Sequence, residues 1–301
     1  MRIGIDLGGT KIEGVVMDAG SHILARHRVP TPPDDYDAAL RTIADLVGTL
    51  EREVGASGLP VGAGTPGARS KVDGRMKNCN STCLNGHFLL EDLEQRLGRA
   101  VRIANDADCM TLSEARDGAA AGAHCVFGVI IGTGVGGGVA VGGELLSGPN
   151  AIAGEWGHNA LPWPRPEWGE VPGPLGWDGR HGSIETWCCG PGLAEDHRRH
   201  GGEPLRGEQI VERAEAGDAD CEATLRRWED RLARALASII NVLDPDAIVI
   251  GGGLSRIERL YRNVPRLWGQ WVFSDRVDTR IVPAQHGDSS GVRGAAWLWP
   301  E

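Results

Sequence analysis

The chain has 301 residues, 41% hydrophobic and 24% charged, which is enough for two lobes that each bury a sizeable core. Its formal net charge of −10 argues against nucleic acid or an anionic membrane as the main partner, because both favour clustered Lys and Arg. The 7 cysteines form no paired C-x-x-C set, which is typical of idle thiols in a reducing compartment. With no signal-peptide pattern and no apolar run long enough to span a bilayer, we expect a soluble cytoplasmic protein.

The first half of the chain predicts a strand, a tight glycine turn and two further strands before the first helix. The first strand is hydrophobic and ends at Asp6, and the turn that follows is Gly8–Lys11, with the sequence Gly-Gly-Thr-Lys. Apolar residues then recur at three- and four-residue steps over 34–54, which predicts an amphipathic helix. The other predicted elements of this half are strands over 12–17, 23–29, 61–64 and 101–104 and a helix over 88–97.

The second half repeats this order of elements. A second glycine turn, Gly132–Gly134, again separates two predicted strands. The later predicted elements are a helix over 221–243, a strand over 247–250 that ends in three glycines, a helix over 256–271, a strand over 280–284 and a final helix over 290–299. The repeat indicates a duplicated α/β fold with two lobes around a cleft.

We place the predicted boundary between the lobes just after the strand that ends at Asn105-Asp106. The small N-terminal lobe is then 1–107, joined by the C-terminal helix 289–301, and the large lobe is 108–288. Residues 162–182 are rich in Gly, Pro and Trp, which favours an irregular loop over the cleft rather than a linker.

Both glycine turns can offer backbone N–H groups to a phosphate, because glycine has no Cβ to block a close approach. Two such turns from two halves suggest that both contact the polyphosphate of one nucleotide. A carboxylate beside that phosphate would be repelled unless a cation lay between them, so Asp6 predicts a Mg²⁺ site, direct or through water. For Asp6 taken alone, a turn cap is the alternative. The second turn also fits G-x-G-x-x-G, but a strand follows it instead of a helix, which argues against a dinucleotide site.

Three further groups of residues suggest chemistry. Asp106, at a strand end that opens into a helix, can accept a hydroxyl proton as the hydroxyl attacks phosphorus; a helix N-cap is the alternative. Glu155 and His158 on a glycine-rich loop, with Glu185 further on, suit a pocket for vicinal hydroxyls, although each alone could be a structural or solvated residue. The glycines at 251–253 permit a flat ligand such as adenine, or a plain tight turn.

With these motifs, the chain resembles the ROK family of sugar kinases, on the actin-like, hexokinase-like ATPase fold, over its full length. The narrower likeness is to bacterial fructokinases, through Asn78–Thr82, Leu84–Gly86 and His286–Trp297. The resemblance implies ATP-dependent phosphorylation of fructose at its 6-hydroxyl. Glucose, mannose and N-acetylglucosamine stay open as substrates, and homodimers are usual in the family.

The resemblance also implies a role for each position that matches a family motif. Asp106 is the general base. The implied sugar ligands are Asn80, Asn105, Glu155, His158 and Glu185, with Gly67 in the pocket wall. The implied nucleotide contacts are Gly8, Gly9, Thr10, Lys11, Gly132, Thr133 and Gly134 for the phosphates and Gly252 and Gly253 for adenosine, with Asp6 for Mg²⁺.

The chain departs from the family at its structural zinc site. The family motif C-x-C-G-x-x-G-C-x-E corresponds here to residues 176–185, which contain none of the three cysteines. His158 keeps only Asp178 or His181 as weak candidate co-ligands, and thiolates dominate tight structural zinc binding, so we predict no stable zinc. Asp178 or a backbone carbonyl is then expected to fix the tautomer of His158 in place of the ion.

Three other interpretations compete with a kinase. A ROK transcriptional repressor would carry a helix-turn-helix before the first strand, whereas this acidic chain begins its first strand at once. A non-catalytic ROK sugar-sensing protein stays open as an alternative. A structural actin-like polymer would have no use for the grouped Glu155, His158 and Glu185.

Overall fold

The computed structural model of the protein describes residues 1–79 and 81–300 and divides the chain into two compact units. The first unit contains Met1–Gly122, Gly143–Ala153 and the chain from Gln285 onward, and the second contains Ala123–Gly142 and Gly154–Ala284. The first unit extends beyond the predicted boundary at residue 107, because the helix that begins at Asp106 packs within it against the C-terminal helix.

The regular elements follow the predicted order closely. The strands are β1 (Arg2–Leu7), β2 (Lys11–Met17), β3 (Ile23–Pro30), β4 (Val61–Thr65), β5 (Ala68–Arg69), β6 (Met76–Lys77), β7 (Val101–Asn105), β8 (Cys125–Ile131), β9 (Val135–Val141), β10 (Glu144–Leu145), β11 (Ala247–Gly251) and β12 (Arg280–Pro283). The helices are α1 (Tyr36–Glu53), α2 (Leu89–Leu97), α3 (Asp106–Arg116), α4 (Ile184–Cys188), α5 (Gly190–Arg199), α6 (Gly207–Glu215), α7 (Ala219–Leu243), α8 (Glu258–Trp268) and α9 (Ser290–Trp297).

The first unit is built on a sheet with the strand order β3-β2-β1-β4-β7. Strand β1 runs antiparallel to β2 and parallel to β4, and β4 runs parallel to β7. The carboxyl ends of β1, β4 and β7 therefore lie at one edge of the sheet. Helix α1 packs against β2 and β3 through the apolar face that its periodicity predicted, with Leu40, Ile43 and Val47 buried.

The second unit repeats this arrangement. Its strands lie in the order β9-β8-β11-β12, with β8 antiparallel to β9 and parallel to β11, and β11 parallel to β12. The long helix α7 forms the centre of its helical layer and packs against α4, α5, α6 and α8, with Trp228 fully buried. The predicted α/β class with a repeated unit is thereby confirmed.

Helices α4, α5 and α6 are absent from the sequence-based prediction. The run Gly190-Pro191-Gly192 resembles a turn, but Pro191 lies in the first turn of α5, where a helix needs no N–H donor. Residues 162–182 are irregular apart from a 3₁₀ turn at Pro166–Trp168 and one isolated bridge, between Leu175 and His181. None of the described helices combines the length and the apolar character needed to cross a bilayer.

Candidate functional site

The carboxyl edge of the first sheet brings two predicted carboxylates together. Asp6 lies near the end of β1, and Asp106 is the first residue of α3, directly after β7. Burial first, and then the charges of Asp106 and Glu13, raise the pKa of Asp6 to about 6, against the opposing effect of Lys11 and Arg28. Desolvation also raises the pKa of Asp106, and hydrogen bonds from the Ala107 N–H and from the Asn105 side chain oppose that rise. Asp106 is nevertheless exposed at the surface.

Asn105 and Gly67 support this edge of the sheet. Asn105 is the N-cap of α3, and its Oδ1 accepts a hydrogen bond of 2.8 Å from the Ala107 N–H. Its Nδ2 donates to the Gly67 carbonyl at 3.0 Å, and its side chain also hydrogen-bonds Asp106. Gly67 has φ +67°, and a Cβ there would lie 2.4 Å from the Lys77 carbonyl oxygen, so the position requires glycine. Asn80, the remaining predicted sugar ligand on this side, lies outside the described residues.

The first glycine turn joins β1 to β2 at the same edge. The Gly8 N–H bonds the Lys11 carbonyl at 3.0 Å, and the Gly8 carbonyl accepts from the Thr31 hydroxyl at 2.7 Å. Gly9 and Thr10 are exposed. The turn is therefore fixed at its base and open at its tip, as a phosphate-binding turn requires.

The second glycine turn joins β8 to β9 in the second unit, and Glu185 packs directly on it. The Val135 N–H donates to Glu185 Oε2 at 2.9 Å, and a Cβ on Gly134 would lie 2.6 Å from that oxygen. Thr133 at the tip is exposed, and the Gly132 carbonyl accepts from the Gly190 N–H at 2.8 Å. The sequence assigned Glu185 to sugar and Gly134 to phosphate, and the structure joins these two positions in one contact.

The glycines after β11 lie beside this turn. Gly252 has φ +83°, and a Cβ there would lie 2.5 Å from the carbonyl oxygen of Ile131, the last residue of β8. Gly252 and Gly253 are both exposed. The parallel strands β8 and β11 thus bring two of the predicted nucleotide-binding segments to one edge of the second sheet.

Glu155 precedes a short 3₁₀ turn, Trp156–His158, which ends at His158 and is anchored by the buried ring of Trp156. The Trp156 Nε1–H donates to the Gly136 carbonyl at 3.1 Å, and its ring meets Phe127 edge to face at 5.6 Å. His158 Nε2 lies 3.8 Å from Glu155 Oε2. The Glu155 side chain is 45% exposed and the His158 side chain 31% exposed, so both are accessible to a ligand.

Two residues of the irregular loop reach these predicted sugar ligands. Asp178 Oδ2 lies 3.5 Å from His158 Nδ1. The Trp177 Nε1–H donates to Glu185 Oε1 at 3.0 Å, and the Trp177 ring meets His158 edge to face at 5.5 Å. A hydrogen bond from the Arg180 N–H and then the nearby His158 lower the pKa of Asp178. The sequence pointed to Asp178 but missed Trp177, because no motif distinguishes that position.

The residues around His158 do not fit a structural zinc ion. Gly176, Asp178 and Ser183 stand where the family motif has cysteines. Within residues 1–79 and 81–300, no group of three or more His, Cys, Asp or Glu side chains could hold a metal ion. Burial raises the pKa of Cys188, which follows Glu185 by three residues in the sequence, to about 12, so this thiol stays protonated and is a poor zinc ligand. A zinc-free protein remains a prediction that this donor chemistry supports.

Comparison with known proteins places the chain in a family. The ROK family model matches residues 2–301. The N-acetyl-D-glucosamine kinase of Photobacterium profundum is 40% identical over 304 residues, which is 99% of each chain. Among solved structures, the ROK hexokinase of Thermus thermophilus has a TM-score of 0.87 and 30% identity, and the match covers 98% of this chain and 96% of that one. A ROK family glucokinase from Streptomyces griseus, in complex with glucose and AMPPNP, has a TM-score of 0.76 and 28% identity over 99% of this chain and 98% of that one.

The chain therefore belongs to the ROK family, and its fold is the duplicated actin-like, hexokinase-like α/β fold that the sequence predicted. The predicted resemblance to ROK sugar kinases is confirmed. The narrower likeness to fructokinases is not supported, because the Photobacterium relative is an N-acetyl-D-glucosamine kinase. The structure explains why that likeness was a poor guide: His286, in one of the stretches that carried it, bonds Asp117 at 3.0 Å and helps hold the start of α9.

Proposed function

We propose that this ROK family protein is an ATP-dependent sugar kinase that phosphorylates N-acetyl-D-glucosamine. The observation that carries the kinase activity is the pair of carboxylates Asp6 and Asp106, which the strand order brings to one edge of a sheet beside the Gly8–Lys11 turn. The choice of sugar is supported by the 40% identity to the Photobacterium kinase over 99% of both chains.

Asp106 is the general base of the proposed reaction. Its carboxylate accepts the proton of a sugar hydroxyl as that oxygen attacks the γ-phosphorus of ATP, and the bond from phosphorus to the leaving β,γ-bridging oxygen breaks. A raised pKa makes this carboxylate a stronger base, and its exposed surface lets a substrate reach it. The proposed acceptor is the 6-hydroxyl, the primary and least hindered hydroxyl of the hexose.

The sugar is held by side chains that already have fixed partners. Glu185 is oriented by the Val135 N–H and the Trp177 indole, and Asn105 is oriented by Gly67 and Ala107. Glu155 and His158 are accessible acceptors for vicinal hydroxyls. Because these groups are held before the sugar arrives, little side-chain entropy is lost on binding.

The nucleotide is proposed to bind through backbone groups. Gly8–Lys11 and Gly132–Gly134 would contact its phosphates, and Gly252 and Gly253 would contact its adenosine. Asp6 fits a Mg²⁺ ion, because it is a partly buried oxygen donor that no hydrogen bond or ion pair reaches within the part of the chain that the structure describes. When bound, Mg²⁺ neutralises charge on the phosphate oxygens. A homodimer remains a prediction from the family resemblance, and a cytoplasmic location remains a prediction from the sequence.

A coupled assay with ATP, Mg²⁺ and a panel of hexoses tests this function. We expect N-acetyl-D-glucosamine to give a kcat/KM at least roughly tenfold above glucose, mannose and fructose, because a site that hydrogen-bonds an acetamido group leaves polar atoms unpaired with the other sugars. The position of the phosphate in the product is read by NMR spectroscopy. A preference for fructose would overturn the choice of sugar. No ATP consumption with any hexose would overturn the kinase itself.

A further inference from the structure

Trp177 and Asp178 are neighbours in sequence, yet each contacts a different predicted sugar ligand. They occupy positions where the family zinc motif has a variable residue and a cysteine. Trp177 contacts Glu185 and His158, and Asp178 contacts His158. The loop therefore contacts both predicted sugar ligands directly.

The Trp177 contact fixes the orientation of the Glu185 carboxylate. One carboxylate oxygen accepts from the Val135 N–H at 2.9 Å and the other from the Trp177 Nε1–H at 3.0 Å. Trp177 is nevertheless 69% exposed, so burial of its ring contributes little that would explain a tryptophan here. Its indole N–H, which phenylalanine lacks, is the group with a specific partner.

The Asp178 contact selects one tautomer of His158. Its carboxylate faces Nδ1 at 3.5 Å, and a carboxylate is an acceptor alone, so it favours a proton on Nδ1. The neutral ring then presents Nε2 as an acceptor beside Glu155 Oε2, 3.8 Å away. That arrangement suits two sugar hydroxyls as donors.

Buried ion pairs and hydrogen bonds hold the first half of the loop. Glu170 is 3% exposed and accepts from Arg231 at 2.7 Å and from Arg234 at 2.8 and 2.9 Å. Arg234 also donates to the Pro162 and Trp163 carbonyls at 3.0 and 2.8 Å. These bonds fix the first half of the loop, and the returning half carries Trp177 and Asp178.

We propose that Trp177 and Asp178 form a metal-free clasp, in which Trp177 positions Glu185 and Asp178 sets the tautomer of His158 for sugar binding. The clasp rests on the proposed function for its substrate. Both residues are positioning residues: they act on the sugar through Glu185 and His158. Within the clasp, Asp178 takes the role that the family resemblance gives to zinc, which is to fix the tautomer of this histidine.

The first test separates sugar binding from turnover. Trp177→Phe keeps an aromatic ring and removes the N–H donor, and Asp178→Asn keeps the size and removes the charge. We expect each to raise the KM for N-acetyl-D-glucosamine roughly tenfold, with the KM for ATP changed less than roughly twofold. The controls are Trp163→Phe, in the same loop, whose ring stacks on Trp271 at 5.0 Å, and Glu167→Gln, whose side chain is 64% exposed. Unchanged sugar KM values in both clasp variants would overturn the proposal.

The second test needs no sugar and no turnover, so it stands apart from the proposed function. Long-range ¹H–¹⁵N spectra of histidine-labelled protein at pH 8 should show His158, assigned through His158→Gln, protonated on Nδ1, and Asp178→Asn should shift it towards the Nε2 tautomer. Protein prepared in metal-free buffer should contain no stoichiometric zinc, and chelation should leave the His158 signals in place. Stoichiometric zinc whose removal moves those signals, or an Nε2 tautomer in the unmodified protein, would refute the clasp.

Discussion

Two carboxylates in this protein, Glu170 and Asp6, have the same chemistry and opposite surroundings. In the second unit, Glu170 is buried among guanidinium groups and bonds both Arg231 and Arg234. In the first unit, no ion pair or hydrogen bond reaches Asp6 from any residue that the structure describes. Although burial favours the neutral acid in both, hydrogen bonds from Arg234 and the Arg165 N–H lower the pKa of Glu170, whereas the pKa of Asp6 is raised to about 6.

The difference teaches how a functional carboxylate can be told from a structural one. Glu13, which lies opposite Asp6 in the β1–β2 register, is 1% exposed and pairs with Arg26 and Arg28 at 2.6 Å. Arg28 lowers the pKa of Asp6 through its charge, but among the described residues no arginine forms an ion pair with Asp6. A partly buried charge without a partner lowers stability, so its presence suggests a ligand that supplies the missing positive charge.

The largest change in the free energy of unfolding is expected when Glu170, the carboxylate that is paired with arginines, is replaced. Glu170→Gln leaves Arg231 and Arg234 buried with one negative charge fewer, and breaking a buried ion pair in this way should lower the free energy of unfolding by about 3–5 kcal/mol. Chemical denaturation measures it. The control is Glu195→Gln, which breaks an exposed pair with Arg198 and should cost about 0–1 kcal/mol. Equal losses in the free energy of unfolding of the two variants would show that the buried ion pairs of Glu170 contribute no more to stability than an exposed pair does.

The second prediction concerns the turnover number of the enzyme when Asp106 is replaced. Asp106→Asn removes the proposed base while keeping its size, so kcat should fall roughly 10²-fold or more with the Kd for sugar nearly unchanged. Steady-state kinetics and isothermal titration calorimetry measure the two quantities. Asp108→Asn, two residues further along α3, is the matched control and should keep most of its turnover. A fully active Asp106→Asn protein would remove Asp106 from the mechanism.

The parts of the site that could be predicted from the sequence are local patterns. Each glycine turn follows a strand directly, and Asp6 and Asp106 mark strand ends, so parallel pairing of β1, β4 and β7 suffices to bring these two carboxylates to one edge. The long amphipathic helices α1 and α7 were predictable for a similar reason, since their apolar residues recur over many turns.

The remainder depends on contacts without a local pattern. Glu170 bonds arginines 61 and 64 residues away, and Trp177 reaches Glu185 across a loop that has no periodicity. The fructokinase likeness failed for a related reason. Asn85, like His286, has a structural role, because its side chain bonds both the N–H and the carbonyl of Cys79. Residues that hold a loop in place say little about which sugar it meets.

Replacement of Asp6 should raise the free energy of unfolding, whereas replacement of Glu170 should lower it. A folded-state pKa of about 6, above the ordinary 3.8, means that stability is lost as the pH rises from about 4 through 6. Asp6→Asn should therefore raise the free energy of unfolding by on the order of 2–3 kcal/mol at pH 8. At pH 5 this gain should be smaller by about 1 kcal/mol, because part of the original Asp6 is protonated there. The variant should also lose kinase activity. Denaturation at the two pH values measures this, with exposed Asp45→Asn on α1 as the control. A destabilised Asp6→Asn protein would contradict the comparison.

The smallest expected change in the free energy of unfolding concerns the partly buried ion pair between His286 and Asp117 in the first unit. Hydrogen bonds from His286 and Arg293 outweigh burial and lower the pKa of Asp117 to about 2, and the bond to Asp117 raises the pKa of His286. Asp117 therefore contributes stability above pH 3.8 that is lost as the pH falls through about 2. His286 contributes below its ordinary pKa, and its contribution is lost as the pH rises through the raised value.

His286→Gln should accordingly lower the free energy of unfolding by about 1 kcal/mol near pH 5.5, with a smaller loss at pH 9, where the original histidine is neutral too. Urea denaturation at the two pH values measures the difference. The exposed His22, which bonds Asp18 at 3.1 Å, gives the control variant His22→Gln, and its loss should be smaller at pH 5.5. A loss that grows from pH 5.5 to pH 9 would show that His286 is held by packing, because a charge-assisted bond must weaken as the imidazole loses its proton.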